Sequence, residues 1–159
     1  MEKISCPVSI GKKCQFLNIA KMRMSEIDPS VSLISKSFPH MNIPEHFWKR
    51  KLRFDETLIL KENGKNIVGI TNISSKNSAI ASIDLLVIAP GKQGNGLGSI
   101  LLDAAEERMK NDGKSIMRLM TEQIKPENVA FYSKKGYKVT GYDPRGYSHS
   151  PSVSFIKEL

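Results

Sequence analysis

"GKQGNGLGSILLDA", residues 91–104, places four glycines within eight positions at the start of an apolar stretch. Just upstream runs "AIASIDLLVIAP", residues 79–90, rich in Ile, Leu and Val and closed by Pro90. Downstream, Leu97, Leu101, Ala105 and Met109 recur every four positions with Leu102 beside them, while Asp103, Glu106 and Glu107 face away. The pattern predicts a strand, a glycine turn and an amphipathic helix over 98–112, stopped by Gly113. Such a junction exposes consecutive N–H groups at a helix N-terminus, a setting that suits phosphate. A tight strand-to-helix turn with no ligand uses the same residue types, although three alternating glycines exceed what one turn requires.

The two best-known phosphate loops do not fit. Gly91 and Gly96 have Walker A spacing, but Leu97-Gly98 stand where Lys and Ser/Thr belong, which disfavours NTP hydrolysis. The dinucleotide fingerprint needs G-x-G-x-x-G, and Gly94-x-Gly96-x-Gly98 is one residue short.

Outward from the loop, "QFLNIAKMR" (15–23) reads as a strand. A helix follows, with Ser25 as candidate N-cap and Asp28 three residues on. A short basic helix spans about Pro44 to Arg53. Apolar runs flank Asn63-Gly64, a hairpin signal. "SIMRLMT", "YKVTGY" and "SVSFIKEL" are later strands, and Pro126 to Lys135 is a helix ending at Gly136. A run of strands before the loop argues for a mixed sheet rather than a doubly wound one.

The 159 residues suit one domain, expected to span 1–159, with 40% hydrophobic and 25% charged residues. No apolar run approaches the roughly 20 residues of a membrane span, and "MEKISCPVSIGKK" lacks an apolar signal core. A cytoplasmic protein with no membrane partner is expected. Cys6 and Cys14 form no CxxC and sit in no metal-ligand cluster, so free thiols and no metal are expected. The net charge of +8 favours polyanions or serves solubility. No helix-turn-helix pattern or aromatic-basic interleaving supports nucleic acid. His40, His46 and His149 have no nucleophile partner at a telling spacing and read as surface residues.

"LVIAPGKQGNGLGSILL" resembles the cofactor motif [RQ]-x-x-G-x-[GA] of the GNAT family of N-acetyltransferases, here Gln93-Gly94-Asn95-Gly96-Leu97-Gly98. "NVAFYSKKGYKV" is similar to the family's second motif, with Asn128, Phe131, Tyr132, Gly136 and Tyr137 in place. The resemblance is strong from about Ile80 to Val139 and weak before residue 55. It implies an α/β (α+β) fold: a single domain with a mixed, mostly antiparallel sheet of about six or seven strands and helices on both faces. It further implies an acetyl-CoA-dependent N-acetyltransferase that moves the acetyl group to a primary amine, small molecule or peptide, directly in a ternary complex. The alternative within the same fold is a non-catalytic coenzyme A-binding domain.

Carried onto this chain, the resemblance assigns the pyrophosphate of coenzyme A to Gln93, Gly94, Asn95, Gly96, Leu97 and Gly98, with Ser99 at the helix start. The pantetheine arm falls to backbone groups of Leu86 and Ile88, as a strand added to an edge. Asn128 is expected to bond the cofactor, and Lys134 or Lys135 its 3′-phosphate. Tyr132 is expected to protonate the departing thiolate. Asp84 shares a strand face with Leu86 and is the candidate base, through a water; Glu122 is the reserve. The acceptor site is expected among the early helices and the 141–152 loop. Five basic residues between Lys36 and Arg53, against Glu45 alone, argue against a basic acceptor. C-terminal strand edges allow a homodimer.

Overall fold

Each apolar period of the sequence becomes an element in the computed structural model, which describes residues 4–10, 13–39, 43–75, 77–122, 125–146 and 151–159. In order they are β1 (Ile4–Ile10), β2 (Lys13–Lys21), a 3-10 turn (Met24–Glu26), α1 (Ile27–Ser37), α2 (Glu45–Phe54), β3 (Glu56–Glu62) and β4 (Asn66–Ser75). There follow β5 (Ile80–Ile88), α3 (Leu97–Asn111), β6 (Ile116–Glu122), α4 (Pro126–Lys134), β7 (Lys138–Asp143) and β8 (Ser152–Glu158). The seven expected strands are present, and β1 is an eighth. It carries Pro7 and, among the described residues, pairs with β2 alone, Ile4 facing Ile19. An edge strand tolerates a residue with no N–H. None of the helices described is long and apolar enough to cross a membrane.

Two compact units share the chain: Met1–Ile73 with Leu85–Ala105, and Ser74–Asp84 with Glu106–Leu159. In the first, β1, β2, β3 and β4 form an antiparallel meander. The β3–β4 turn is Asn63-Gly64, both at positive φ. The end of β5 joins β4, where Ala89 N–H donates to Val68 O at 2.8 Å and the Thr71 hydroxyl donates to Leu85 O at 3.0 Å. One face of this sheet carries Ile59, Ile70, Leu85 and Val87, which bury Ile27, Val31 and Ile34 of α1 and Trp48 and Leu52 of α2. Helical spacing on one side and strand alternation on the other make this core.

The start of α1 differs from expectation. Ser25 is not the cap; it lies in the 3-10 turn, where the Glu26 carboxylate accepts the Arg23 N–H at 2.8 Å and also binds Lys61. Burial disfavours the Glu26 charge, but the Lys61 ammonium and the Arg23 N–H outweigh it and hold the carboxyl below its usual value. Asp28, expected in a capping box, pairs instead with Lys49 of α2 at 2.9 Å.

In the second unit β5 runs parallel to β6, from Ile80 opposite Ile116 to Ile83 opposite Leu119. β6 pairs antiparallel with β8, and β8 with β7. One parallel pairing among antiparallel ones gives the mixed, mostly antiparallel sheet expected. Met117, Leu119, Tyr132, Tyr137 and Phe155 are buried. Glu106, expected to face solvent, instead accepts from Lys157 of β8 at 2.6 Å. That contact joins residues 51 apart, which helical periodicity does not report.

On the other face of the first sheet lies the start of α3, with Leu97, Leu101, Leu102 and Ala105 all buried as the four-residue spacing requires. Gly69 of β4 lets them in. A Cβ built there would stand 2.8 Å from Ile88 Cδ1 and 3.2 Å from Leu101 Cδ2. Gly69→Ala is therefore expected to cost about 1–3 kcal/mol by overpacking. Urea unfolding measures this, and an unchanged midpoint would mean that the base of the loop is loosely packed.

Candidate functional site

β5 alternates along its length: Ala81, Ile83, Leu85 and Val87 are buried, while Ile80, Ser82, Asp84 and Leu86 are half-buried. Its ladder with β6 stops at Ile83 and Leu119. From Asp84 to Ile88 the strand continues without that pairing among the described residues. Parallel ladders normally use every such N–H and C=O.

The strand then delivers the chain to the loop. Lys92 N–H donates to Ala89 O at 3.0 Å, and the Lys92 ammonium binds Glu62 of β3 at 2.8 Å. The Gln93 side chain turns back and donates to Ile88 O at 3.1 Å. The Asn95 side chain donates to Lys92 O and Gln93 O, each at 3.2 Å. These bonds brace the loop from behind with side chains and carbonyls. Ile100 N–H donating to Gly96 O, at 3.1 Å, is the first helical bond of α3.

Gly94 and Gly96 both have φ of +77°. A Cβ at either would meet nothing within 4 Å. Glycine is required here for backbone conformation, because nothing crowds it, and the space ahead of the loop is open. Among the described residues, the N–H groups of Gln93–Gly98 reach no acceptor in the protein. Successive undirected donors beside a helix N-terminus form an anion cradle. These residues fit the diphosphate of a nucleotide-bearing cofactor. The first unit thus brings together Leu86, Ile88, Gln93, Gly94, Asn95, Gly96, Leu97, Gly98 and Ser99.

The second unit holds the other candidates. Asp84 is half-buried rather than enclosed and follows the last paired residue of β5. Glu122 ends β6 and is engaged by Lys125 at 3.2 Å. On α4, Pro126 starts the helix, and Asn128 and Tyr132 share a face one turn apart. The Asn128 amide donates to Thr121 Oγ1 of β6 at 3.3 Å. Lys134 is exposed at the helix end, and Lys135 is half-buried beside it.

Tyr132 sits in an aromatic cluster. Its ring lies 5.0 Å from Phe131, 5.8 Å from Tyr137 and 5.9 Å from Phe155, two of these edge-on. It is 9% exposed. Burial among these rings pushes its phenol up to about 12, so the hydroxyl keeps its proton throughout the neutral range.

Thr71, Thr121 and the Lys92–Glu62 pair escaped the sequence reading, since each acts through a partner distant in the chain. Glu62 at the end of an apolar strand, directly before a turn, was the available signal. His46 is exposed on α2. His40, His149 and the tip of the 141–152 loop lie outside the described residues, and so do the side chains of Cys6 and Cys14. Among the described residues no group of three or more His, Cys, Asp and Glu is arranged to hold a metal.

A family model described as an acetyltransferase (GNAT) domain matches residues 19–154. No curated protein matches the chain. Solved structures share its fold at low identity. An IAA acetyltransferase from Bacillus cereus superposes with a TM-score of 0.77 at 20% identity, covering 90% of this chain and 99% of that one. The ribosomal-protein-S18-alanine N-acetyltransferase of Escherichia coli gives 0.81 at 14% identity, covering 90% and 94%. A GNAT family acetyltransferase from Elizabethkingia anophelis, solved with acetyl-CoA bound, gives 0.76 at 17%, covering 90% and 98%. With both cofactor motifs on the elements that should carry them and one family model running through 19–154, the chain belongs to the GNAT acetyltransferase family.

Proposed function

We propose that the chain is an acetyl-CoA-dependent N-acetyltransferase that moves an acetyl group to a primary amine by direct transfer, and that residues 1–159 act as one catalytic domain. The observation that carries this reading is the loop at Gln93–Gly98, whose N–H groups reach no acceptor among the described residues while a Cβ at Gly94 or Gly96 would meet nothing within 4 Å. A domain model that runs unbroken through residues of both units supports the single-domain reading. One neighbour in fold was solved with acetyl-CoA bound, which supports the choice of cofactor.

Acetyl-CoA, when bound, supplies an acyl thioester; the residues of this chain hold it and manage protons. The N–H groups of Gln93–Gly98 and the start of α3 at Ser99 would take the diphosphate. Backbone groups of Leu86 and Ile88 would pair with the pantetheine amides along the open edge of β5. The Leu86 N–H would donate to the thioester carbonyl oxygen. Gln93 already occupies Ile88 O, so that carbonyl is shared or released on binding. Asn128 and Lys134 would contact the cofactor from α4.

The amine nitrogen must lose a proton and the departing sulfur must gain one. Asp84 would accept the first through a water. Tyr132 would serve the second. A phenol near 12 is a weak acid toward a thiol of about 8.5. Its main contribution is therefore a hydrogen bond donated to sulfur as negative charge builds there, in a site dry enough to strengthen it. The basic residues of α2 favour a small neutral or acidic amine, or a neutral peptide terminus, as acceptor.

Two variants separate holding from chemistry. Gly96→Val forces a β-branched residue into φ +77°. It is expected to weaken coenzyme A binding by about tenfold or more in calorimetry, with folding retained, since no contact is crowded. Tyr132→Phe is expected to lower kcat by about tenfold or more while the dissociation constant of coenzyme A stays within about threefold. Equal loss of both would make Tyr132 a packing residue, and an unaltered kcat would end its catalytic role. Thiol release from acetyl-CoA against a panel of amines supplies the assay. No release with any amine, alongside intact coenzyme A binding, would favour the non-catalytic alternative.

Tyr132 also sets an alkaline limit. Its folded value, about 12, lies above that of an unfolded phenol, about 10, so the folded chain holds the proton more tightly. That stabilisation is complete below pH 10 and fades as pH rises toward 12. Between pH 9 and 11 the wild type is expected to lose about 1 kcal/mol more unfolding free energy than Tyr132→Phe. Parallel losses would contradict the burial argument.

A further inference from the structure

β7 is a six-residue strand, Lys138–Asp143, that pairs only with β8 among the described residues. Five of its six residues are exposed, including Val139 at 58% and Tyr142 at 56%. A strand bare on both faces and along one edge is a template for another strand. Sheet edges are usually guarded by a lysine or a bulge, and β7 has both: Lys138, and a register shift between Val139 and Gly141.

The bulge changes what the edge can pair with. A regular strand meeting its own copy antiparallel can match only residues whose numbers sum to an even value, because side chains and backbone groups alternate with period two. In β7 the extra residue, Thr140, resets that alternation. Lys138 faces Ile156, Gly141 faces Ser154 and Asp143 faces Ser152, so these three share one sheet face. Val139 faces Phe155 and Tyr142 faces Val153, so these two share the other. About a two-fold axis, Lys138 then meets Asp143 of a second copy on one face. Val139 meets the second copy's Tyr142 on the other. Each pair occurs twice, as an isologous contact requires. Opposite charges and an aliphatic–aromatic pair are both favourable across strands.

We propose that the β7 edge is the self-association surface of this protein, pairing antiparallel with β7 of a second copy in the register Lys138–Asp143 and Val139–Tyr142. The occupant is a second copy because the strand is complementary to itself in charge and in face. Six residues a side bury less than the roughly 1,200 Å² of a standard stable interface, so a dimer in the micromolar range is expected. Each copy carries a net charge of +8. Measurement near 0.15 M salt, where screening acts within about 8 Å, keeps this repulsion from dominating the result.

Sedimentation equilibrium from about 1 to 500 μM is the test, with dimer affinities expected in the range that interface size allows. The wild type is expected to dimerise. Lys138→Asp, which sets like charges face to face at an exposed position, is expected to weaken the dimer by about tenfold or more. Asp143→Lys is expected to act similarly, although it also removes the acceptor of the Arg145 N–H at 2.9 Å. The exchanged pair, K138D with D143K, is expected to restore association. A monomer at every concentration would overturn the proposal and leave the bulge and Lys138 as edge guards. A dimer indifferent to either reversal, or one not restored by the exchange, would place association on another surface. Circular dichroism and melting temperatures confirm that each variant is folded.

Discussion

β5 leaves its ladder with β6 after Ile83 and Leu119, and the five residues that follow must then satisfy their edge in another way. On one side they are fixed: Val68 O takes the Ala89 N–H, and Thr71 takes Leu85 O. Leu85 and Val87 are buried in the α1–α2 core. On the other side, Ile88 O accepts from the Gln93 side chain, and Leu86 has no ladder partner among the described residues. On the proposed reading, this strand, committed along one edge, receives an extended ligand along the other. The ordering cost of that stretch has been met by the fold rather than by binding.

The loop continues the same logic with different chemistry. Gln93, Lys92 and Asn95 bind backward, to Ile88 O, to Glu62 and to loop carbonyls. Among the described residues the N–H groups of Gln93–Gly98 reach no acceptor. Gly69 allows Ile88 and Leu101 to close beneath, so the cradle stands on packed side chains. In the second unit the same economy of placement applies to Tyr132, whose neighbours Phe131, Tyr137 and Phe155 both position it and raise its pKa. A phenol in that setting is a steady donor and a reluctant acid. On the proposed reading, hydrogen bonding to sulfur therefore suits it better than outright proton delivery.

How far the sequence reaches depends on the range of the interaction that decides each feature. Leu97, Leu101, Ala105 and Met109 are local periodicity, and all four are buried as expected. The Asn63-Gly64 turn and the glycine loop are local conformation, and both have the positive φ their residues imply. The start of α1 was misread because Glu26, held by Lys61 from β3, competes with the Ser25 cap; that partner is 35 residues away. β1 was missed because Pro7 interrupts "ISCPVSI"; the alternation of Ile4, Cys6, Val8 and Ile10 was the available signal, and pairing with β2 shows the strand. Among candidate site residues, the loop and Tyr132 were singled out by their motifs, and the strand-to-helix junction and the helix that carry them were legible. The bonds from Thr71 to Leu85 O and from Asn128 to Thr121 were not, because pairing between strands and helices sets them. The proposed acceptor was illegible for a further reason: the early helices and the 141–152 loop, where it was expected, follow no motif that names a substrate.

The central claim is that backbone groups of the β5 edge and the loop after it hold coenzyme A. Amide NMR of the nitrogen-15-labelled chain titrated with coenzyme A addresses those groups one by one. The account predicts that the largest, saturable shifts fall on Leu86 to Ser99, with the N–H signals of Gln93–Gly98 moving as hydrogen bonds form. Shifts confined to other parts of the chain, or none at millimolar coenzyme A, would contradict it.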